Sequence, residues 1–382
     1  MSSCGTWAST KRPKVRVLLL NQYFPPDEAP TGVLLAEVGD TLREAGHEVE
    51  LLDARQPYRA GQAAAKRLRR EIAALGRILL AGLRVRRPDV IVSGTSPPLL
   101  LLVATVLKLR FRARSIHWAM DLYPDLAIAL DEVPPGALAA LLEGLMAWCY
   151  RRTELTVALD ADMAARVDAL GARTECLRPW VSATMWGQAR EAQTSGQGVS
   201  AGEPWTWIYS GNLGRAHEWE TLLEAQQLLE GEGASIRLVF QGGGPGWAAA
   251  RARAEELGLR GVEWRPYVEE DALVASLLAC QVCAATQKPE IAGMLWPSKL
   301  ALLLTLPRPL LFIGPPEGAI ASELRRLSHA GVFAPGDVDG VAAWVQKQQR
   351  EGRPVPSGAV LDGGAHRAAS LARWRAWIEQ AK

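Results

Sequence analysis

Short, nearly unbroken apolar runs alternate along this chain with longer stretches whose apolar residues recur every three or four positions. Val15 to Leu20 is the first run, the pattern of a central strand buried on both faces of a parallel sheet. The turn Asn21-Gln22-Tyr23-Phe24-Pro25-Pro26 leads through Thr31-Gly32 into a helix with apolar face Leu34, Leu35, Val38 and Leu42, which Gly46 ends. Glu48 to Leu52 reads as the next strand, which completes a right-handed βαβ unit. Strands follow at Asp89 to Ser93, Ser115 to Trp118, Thr156 to Leu159 and Glu175 to Leu177. Helices are predicted between them at Pro98 to Leu109 and at Asp162 to Leu170, the latter closed by Gly171. This alternation predicts a doubly wound α/β domain over residues 14–186.

Gly187 to Pro204 is rich in Gly, Ser, Gln and Ala without periodicity and reads as a linker, residues 187–204. A second series begins at Trp205, with strands at Trp205 to Tyr209, Ile236 to Gln241, Val262 to Trp264, Gln281 to Ala285 and Leu310 to Ile313. It predicts a second such domain over residues 205–362, followed by an amphipathic helix over 363–382 that can pack back on the N-terminal domain. The expected fold class is α/β: two Rossmann-like, doubly wound parallel-sheet domains facing a central cleft. Ligands then belong at the carboxyl ends of both sheets.

With 382 residues, 48% of them apolar and 22% charged, the chain is long enough for two separate cores. A net charge of +2 gives no argument for a nucleic-acid partner. Its distribution is uneven, because lysine and arginine dominate from Arg55 to Arg114. Interleaved with Leu68, Ile72, Leu75, Ile78, Leu79 and Leu83, the first part of this block reads as a basic amphipathic helix, suited to an anionic membrane surface or simply to solvent. Five irregularly spaced cysteines fit a reducing compartment, and Cys280 and Cys283 lie within an apolar run that reads as core. Neither a secretory leader nor a membrane-spanning run is legible, so the expected location is the cytoplasm, with peripheral contact at the inner membrane face.

The candidate chemistry centres on Tyr209-Ser210-Gly211-Asn212-Leu213-Gly214-Arg215-Ala216-His217-Glu218. A strand precedes this turn and a helix with Trp219, Leu222, Leu223, Gln226 and Leu229 follows it. Such a unit either aims backbone N–H groups and a helix dipole at a phosphate or is an ordinary tight βα loop. Gly211 and Gly214 permit close approach, and Arg215 and His217 can add positive charge. A second turn, Gly242-Gly243-Gly244-Pro245-Gly246, leaves the neighbouring strand, and two turns side by side suit a nucleotide diphosphate. The dinucleotide fingerprint fails because Trp247 stands where its third glycine belongs, and no Walker A sequence is present. Nicotinamide and flavin chemistry are therefore disfavoured. Asp160-Ala161-Asp162 is read as a helix start with Asp162 as N-cap, not as a metal site.

The stretch Tyr209 to Glu218 resembles the donor-phosphate loop of family 4 glycosyltransferases of the GT-B fold, in the branch of the colanic-acid and exopolysaccharide transferases. Supporting matches are Asn21 to Pro26 with Thr31-Gly32, Asp121-Leu122-Tyr123-Pro124-Asp125, Phe240 to Pro245 and Pro297-Ser298-Lys299-Leu300, in family order over residues 14 to 350. The resemblance implies a retaining, metal-independent transfer from a nucleoside-diphosphate sugar, UDP- or GDP-linked, without a separate cofactor. The acceptor would be lipid-linked or a growing saccharide. Gly211, Asn212, Gly214, Arg215 and His217 would hold the diphosphate, and Gly242, Gly243 and Gly244 would pass close to the nucleotide. Ser298 and Lys299 would face the diphosphate or the transferred sugar. Tyr23, Thr31 and Gly32 would lie on the acceptor side, with His117 and Asp121 at the strand end facing the cleft.

The family's pair of glutamates, eight positions apart, falls on Met294 and Leu302, and Glu290 is the nearby carboxylate. That loss motivates a second reading, a GT-B pseudoenzyme serving as a binding subunit of a polysaccharide-synthesis complex. A third, a nucleotide-sugar 2-epimerase of the same fold, lacks placeable carboxylates and histidines.

Overall fold

The computed structural model describes residues 14–27, 29–55, 64–194, 205–352, 355 and 361–380. Two six-stranded sheets, parallel throughout, organise the chain. The first contains β1 (Arg16–Leu20), β2 (Glu48–Leu52), β3 (Val90–Ser93), β4 (Arg114–Trp118), β5 (Leu155–Ala158) and β6 (Thr174–Cys176), in the order β2-β1-β3-β4-β5-β6. Its helices are α1 (Pro30–Glu44), α2 (Ala64–Gly82), α3 (Leu100–Phe111), α4 (Asp125–Ala129), α5 (Ala137–Tyr150), α6 (Ala161–Ala169) and α7 (Ala183–Thr194). Because helices cover both faces, Val17, Leu18, Leu19 and Leu20 on β1 are all buried, which is why that run is apolar at successive positions. Each such leucine contributes roughly 1.5–3 kcal/mol by leaving water.

The second sheet runs β12-β11-β10-β7-β8-β9. Its strands are β7 (Trp205–Asn212), β8 (Ile236–Gly243), β9 (Val262–Arg265), β10 (Val282–Thr286), β11 (Leu310–Ile313) and β12 (Ala330–Phe333). Around it pack α8 (Glu220–Gly231), α9 (Trp247–Glu256), α10 (Glu270–Leu278), α11 (Lys299–Leu303), α12 (Ala319–Leu324) and α13 (Val338–Glu351). The strand order reverses between β7 and β10, and in the first sheet between β1 and β3. At such a reversal neighbouring crossovers leave in opposite directions, opening a crevice beyond the strand ends.

The last helix, α14 (Gly363–Glu379), lies against the first half of the chain. Trp374 packs 5.1 Å from Trp118 of β4, which stacks on Trp180 at 5.2 Å. Glu37 of α1 accepts from Arg367 and from the Trp180 indole, each at 2.8 Å.

Three readings of the sequence change here. Helix α7 runs through Thr194, so residues 187–194 are helical although their composition reads as linker. Residues 195–204 lie outside the described ones. The N-cap of α6 is Asp160, accepting from Met163 N–H at 2.8 Å, and not Asp162. Asp162 instead accepts from Ala319 N–H of the second half at 2.6 Å. Helix α5 and strand β12 were not anticipated.

The halves meet along one seam. Asp121 forms an isolated antiparallel bridge with Leu295, and Leu122 N–H donates to the Met294 carbonyl at 2.8 Å. Arg166 reaches the Ala292 carbonyl at 3.0 Å, and Arg178 pairs with Glu323. The carboxyl ends of β4 and β10 are thereby brought to the same region.

Candidate functional site

The two glycine turns lie side by side because β7 and β8 are paired out to their last residues, with Gly211 opposite Gly242 and Asn212 opposite Gly243. Leu213 fastens them: its N–H donates to the Gly243 carbonyl at 2.6 Å, and its carbonyl accepts from Gly246 N–H at 2.9 Å. Only glycine fits at two of these positions. Gly242 has φ +129°, and a Cβ there would come within 2.3 Å of the Gly211 carbonyl oxygen. Gly244 has φ +121°, and its Cβ would meet Asn212 Oδ1 at 2.2 Å.

Lys299, at the start of α11, closes this cluster from the other side of the strand-order reversal. Its Nζ stands 3.4 Å from the centroid of the Tyr209 ring, and its tip lies beside Gly211. Part of the residue is exposed, but the ammonium nitrogen is shut off from solvent and has no hydrogen-bond partner. Burial therefore holds its pKa well below the usual lysine range. Tyr209, itself buried, donates through its hydroxyl to the Asn212 carbonyl at 3.0 Å and so braces the turn.

His217 belongs to the cluster but not as a cation. Its Nδ1 lies 2.9 Å from the Thr286 carbonyl of β10, a contact that requires the ring N–H to donate. Burial, and then the Lys299 charge, push its pKa down to about 3. His217 is thus neutral at physiological pH, which corrects the expectation that it adds positive charge. Arg215 is exposed and donates to the Leu130 carbonyl at 3.3 Å, so it spans the two halves. Asn212 is exposed, and Gly214 packs beside Asn212 and His217.

The dipole of α8 is not free for a phosphate, as the sequence suggested. Glu218 accepts from both Thr221 N–H and its hydroxyl, at 2.9 and 3.0 Å, and so occupies the first turn of that helix. The groups of this region left without such a carboxylate are Lys299 and the two glycine turns. Ser298 is exposed and makes no capping bond. Met294 and Leu302, at the positions of the expected glutamates, are buried, while Glu290 is an exposed carboxylate on the short 3-10 turn Pro289–Ile291.

Sequence reading missed Tyr267. It follows β9, is 57% exposed, and its ring lies against Gly242 and Gly243. Its position beyond a strand end was the available signal.

In the first half, His117 and Asp121 line one hollow at the end of β4, together with Thr95, Tyr123, Met146 and Tyr150. His117 Nδ1 meets Ser93 Oγ at 2.9 Å, its Nε2 has no partner, and burial lowers its pKa to about 3. Tyr23 is buried and its hydroxyl accepts from Arg70 at 3.0 Å. Thr31 is half-buried. Gly32 is buried beneath the Tyr23 backbone, where a Cβ would approach the carbonyl oxygen to 2.3 Å, so only glycine lets α1 pack this close to the turn. Among the described residues, no three His, Cys, Asp or Glu side chains converge as a metal site.

No protein-family model matches the chain. It is 24% identical over 240 residues to "Probable glycosyltransferase WbjE" of Pseudomonas aeruginosa, a match covering 60% of this chain and 58% of that protein. It is 34% identical over 99 residues to "Putative colanic acid biosynthesis glycosyl transferase WcaI" of Escherichia coli K12, covering 26% of this chain and 24% of that protein. The matches thus span less than two thirds of either relative. Among solved structures, sucrose-phosphate synthase from Thermosynechococcus elongatus superposes with TM-score 0.65 at 14% identity, over 96% of this chain and 97% of that one. Anabaena Alr3699/HepE in complex with UDP-glucose superposes with TM-score 0.59 at 13% identity, over 96% and 98%. The fold is GT-B. At these identities the likeness is one of architecture.

Proposed function

We propose that this chain is a glycosyltransferase that moves a sugar, with retention of configuration, from a nucleoside-diphosphate sugar to a lipid-linked or polysaccharide acceptor in cell-surface polysaccharide biosynthesis. The observation that carries the reading is the buried, unpartnered Lys299 ammonium beside two apposed glycine turns at a strand-order reversal. An isolated buried cation is costly, and a diphosphate is the partner that removes the cost. Tyr267 offers an exposed ring for the base. The names of the two relatives support a glycosyltransferase, and the UDP-glucose held by one fold neighbour supports this class of donor.

In the proposed reaction the bond between the anomeric carbon and the diphosphate oxygen breaks, leaving negative charge on the diphosphate and cationic character on the sugar. Lys299 stabilises the departing diphosphate as that charge develops. The acceptor hydroxyl attacks from the face the diphosphate leaves and passes its proton to the departing phosphate oxygen, so no pair of enzyme carboxylates is needed. Neutral His117, with an unpartnered Nε2, and Asp121 are suited to orient sugar and acceptor.

A panel of UDP- and GDP-linked sugars with a polyprenyl-diphosphate-sugar acceptor tests the reading, with product mass as the readout. Absence of both transfer and nucleotide binding would reject it. The pseudoenzyme reading is favoured by one observation, the burial of apolar Met294 and Leu302 where paired carboxylates were expected. Calorimetry separates the two, because only the transferase reading requires micromolar affinity for a nucleoside diphosphate.

A further inference from the structure

Residues 292–297 form a strap between the short 3-10 turn Pro289–Ile291 and α11. Both halves of the chain hold it by its carbonyls. Ala292 accepts from Arg166 of α6 at 3.0 Å and Met294 from Leu122 N–H at 2.8 Å, both donors of the first half. Leu295, which bridges to Asp121, accepts from the Gln287 side-chain amide at 3.0 Å, a donor of the second half. Gly293 lets the strap lie on α6, since its φ is +69° and a Cβ would come within 2.9 Å of the Asp162 backbone. Met294 and Trp296, flanking Leu295, are buried and anchor the strap in the core.

Gln287 is 3% exposed and stands one residue beyond β10. Its backbone is fixed, because its N–H donates to the Ile313 carbonyl of β11 at 2.9 Å. Its neighbours reach the first glycine turn: the Thr286 carbonyl meets His217 Nδ1, and Lys288 N–H donates to the Ala216 carbonyl, each at 2.9 Å. The strap in turn runs into Ser298 and Lys299, whose ammonium returns to Tyr209 and Gly211 of that same turn. A ring is thus closed, from the turn through the end of β10, the Gln287 amide and the strap to Lys299. Within it, one side-chain hydrogen bond joins the end of β10 to the strap. A buried amide makes such a joint directional, and its loss leaves a carbonyl unpaired.

We infer that Gln287 is a positioning residue, one that holds the strap so that Asp121 on the acceptor side and Lys299 on the donor side keep a fixed separation. This role presupposes the transfer reading above. Leu295 is shared between Gln287 and Asp121, so slack in the strap moves Asp121 and Lys299 relative to one another. The glycine turns are held by the β7–β8 ladder without Gln287. Loosening the strap therefore disturbs the alignment of reacting groups more than it disturbs nucleotide binding.

Gln287→Met keeps the length and apolar bulk of the side chain and removes its amide. Exchange of the Leu122 amide with deuterium should then quicken about tenfold, because its acceptor Met294 lies in the strap. Turnover should fall about tenfold or more, with Kd for UDP and GDP changed by less than about threefold. In a Lys299→Met chain the same substitution should lower turnover by less than about threefold, because the two residues act in series. Gln287→Asn, one methylene shorter, is the second variant should Gln287→Met not fold, with the same outcomes expected. Unchanged Leu122 exchange, unchanged turnover, or full additivity with Lys299→Met would overturn the role of Gln287 and leave the transferase reading standing. A parent chain that neither binds a nucleoside diphosphate nor transfers a sugar would overturn both.

Discussion

Lys299→Met separates the cost of a buried cation from its use. The substitution keeps the aliphatic stem and removes an ammonium that has no hydrogen-bond partner and sits 3.4 Å above Tyr209. An unsatisfied buried polar group costs ~1–3 kcal/mol, while a cation over an aromatic ring returns ~0.5–2 kcal/mol. The midpoints of those ranges give a net gain in stability of about 0.8 kcal/mol without ligand, at ~2–4 °C of Tm per kcal/mol for a domain of this size. Loss of a charge-assisted contact to a diphosphate costs ~1.5–3 kcal/mol, or about 10- to 150-fold in Kd. Stability and affinity thus move in opposite directions. Scanning calorimetry of the ligand-free chain and isothermal titration with UDP and GDP read the two effects. A Tm several degrees below the parent's, with nucleotide affinity unchanged, would refute the reasoning.

Gly244→Ala should lower both stability and nucleotide affinity, since it forces a side chain onto Asn212 and Leu213 at a positive φ; denaturant melts and titration calorimetry check this, and parent-like values would contradict it. Acid should destabilise the fold through His117 and His217, whose folded pKa values of about 3 lie below the unfolded ~6.5. The unfolded chain binds more protons between those values, so stability is full above the unfolded pKa and is lost as pH falls toward 3, by up to about 1.4 kcal/mol per unit for each histidine. Urea midpoints from neutral to acid pH measure the slope. Arg215→Ala should change nucleotide Kd by less than about fivefold, because its exposed guanidinium is engaged with Leu130, while slowing transfer through a weakened seam.

The parallel strands were legible because burial on both faces leaves no polar position to interrupt them, as at Val17 to Leu20. Strand β12 was not, because Ala330-Gly331-Val332-Phe333 opens on two small residues and is too weakly patterned to stand out. Helix α5 was hidden for the opposite reason: it is apolar almost all round, so periodicity could not show that Leu138 faces outward. The apposition of the glycine turns followed from consecutive strands pairing, which the sequence supported. The charge states did not follow, because they depend on tertiary burial. His217 is neutral through the Thr286 carbonyl and the nearby Lys299, neither of them local in sequence. Arg215 was read as a phosphate ligand from its place in the turn, yet its partner lies 85 residues away. Asp160 and Asp162 both stand at a helix start, and only geometry showed which one caps it.

The most direct measurement is a structure of the chain with a nucleoside-diphosphate sugar bound. The account predicts diphosphate oxygens within about 3 Å of Lys299 Nζ, with the nucleotide lying across Gly211, Gly242 and Gly244. A nucleotide seated elsewhere, with Lys299 still folded over Tyr209 and making no contact to phosphate, would contradict it.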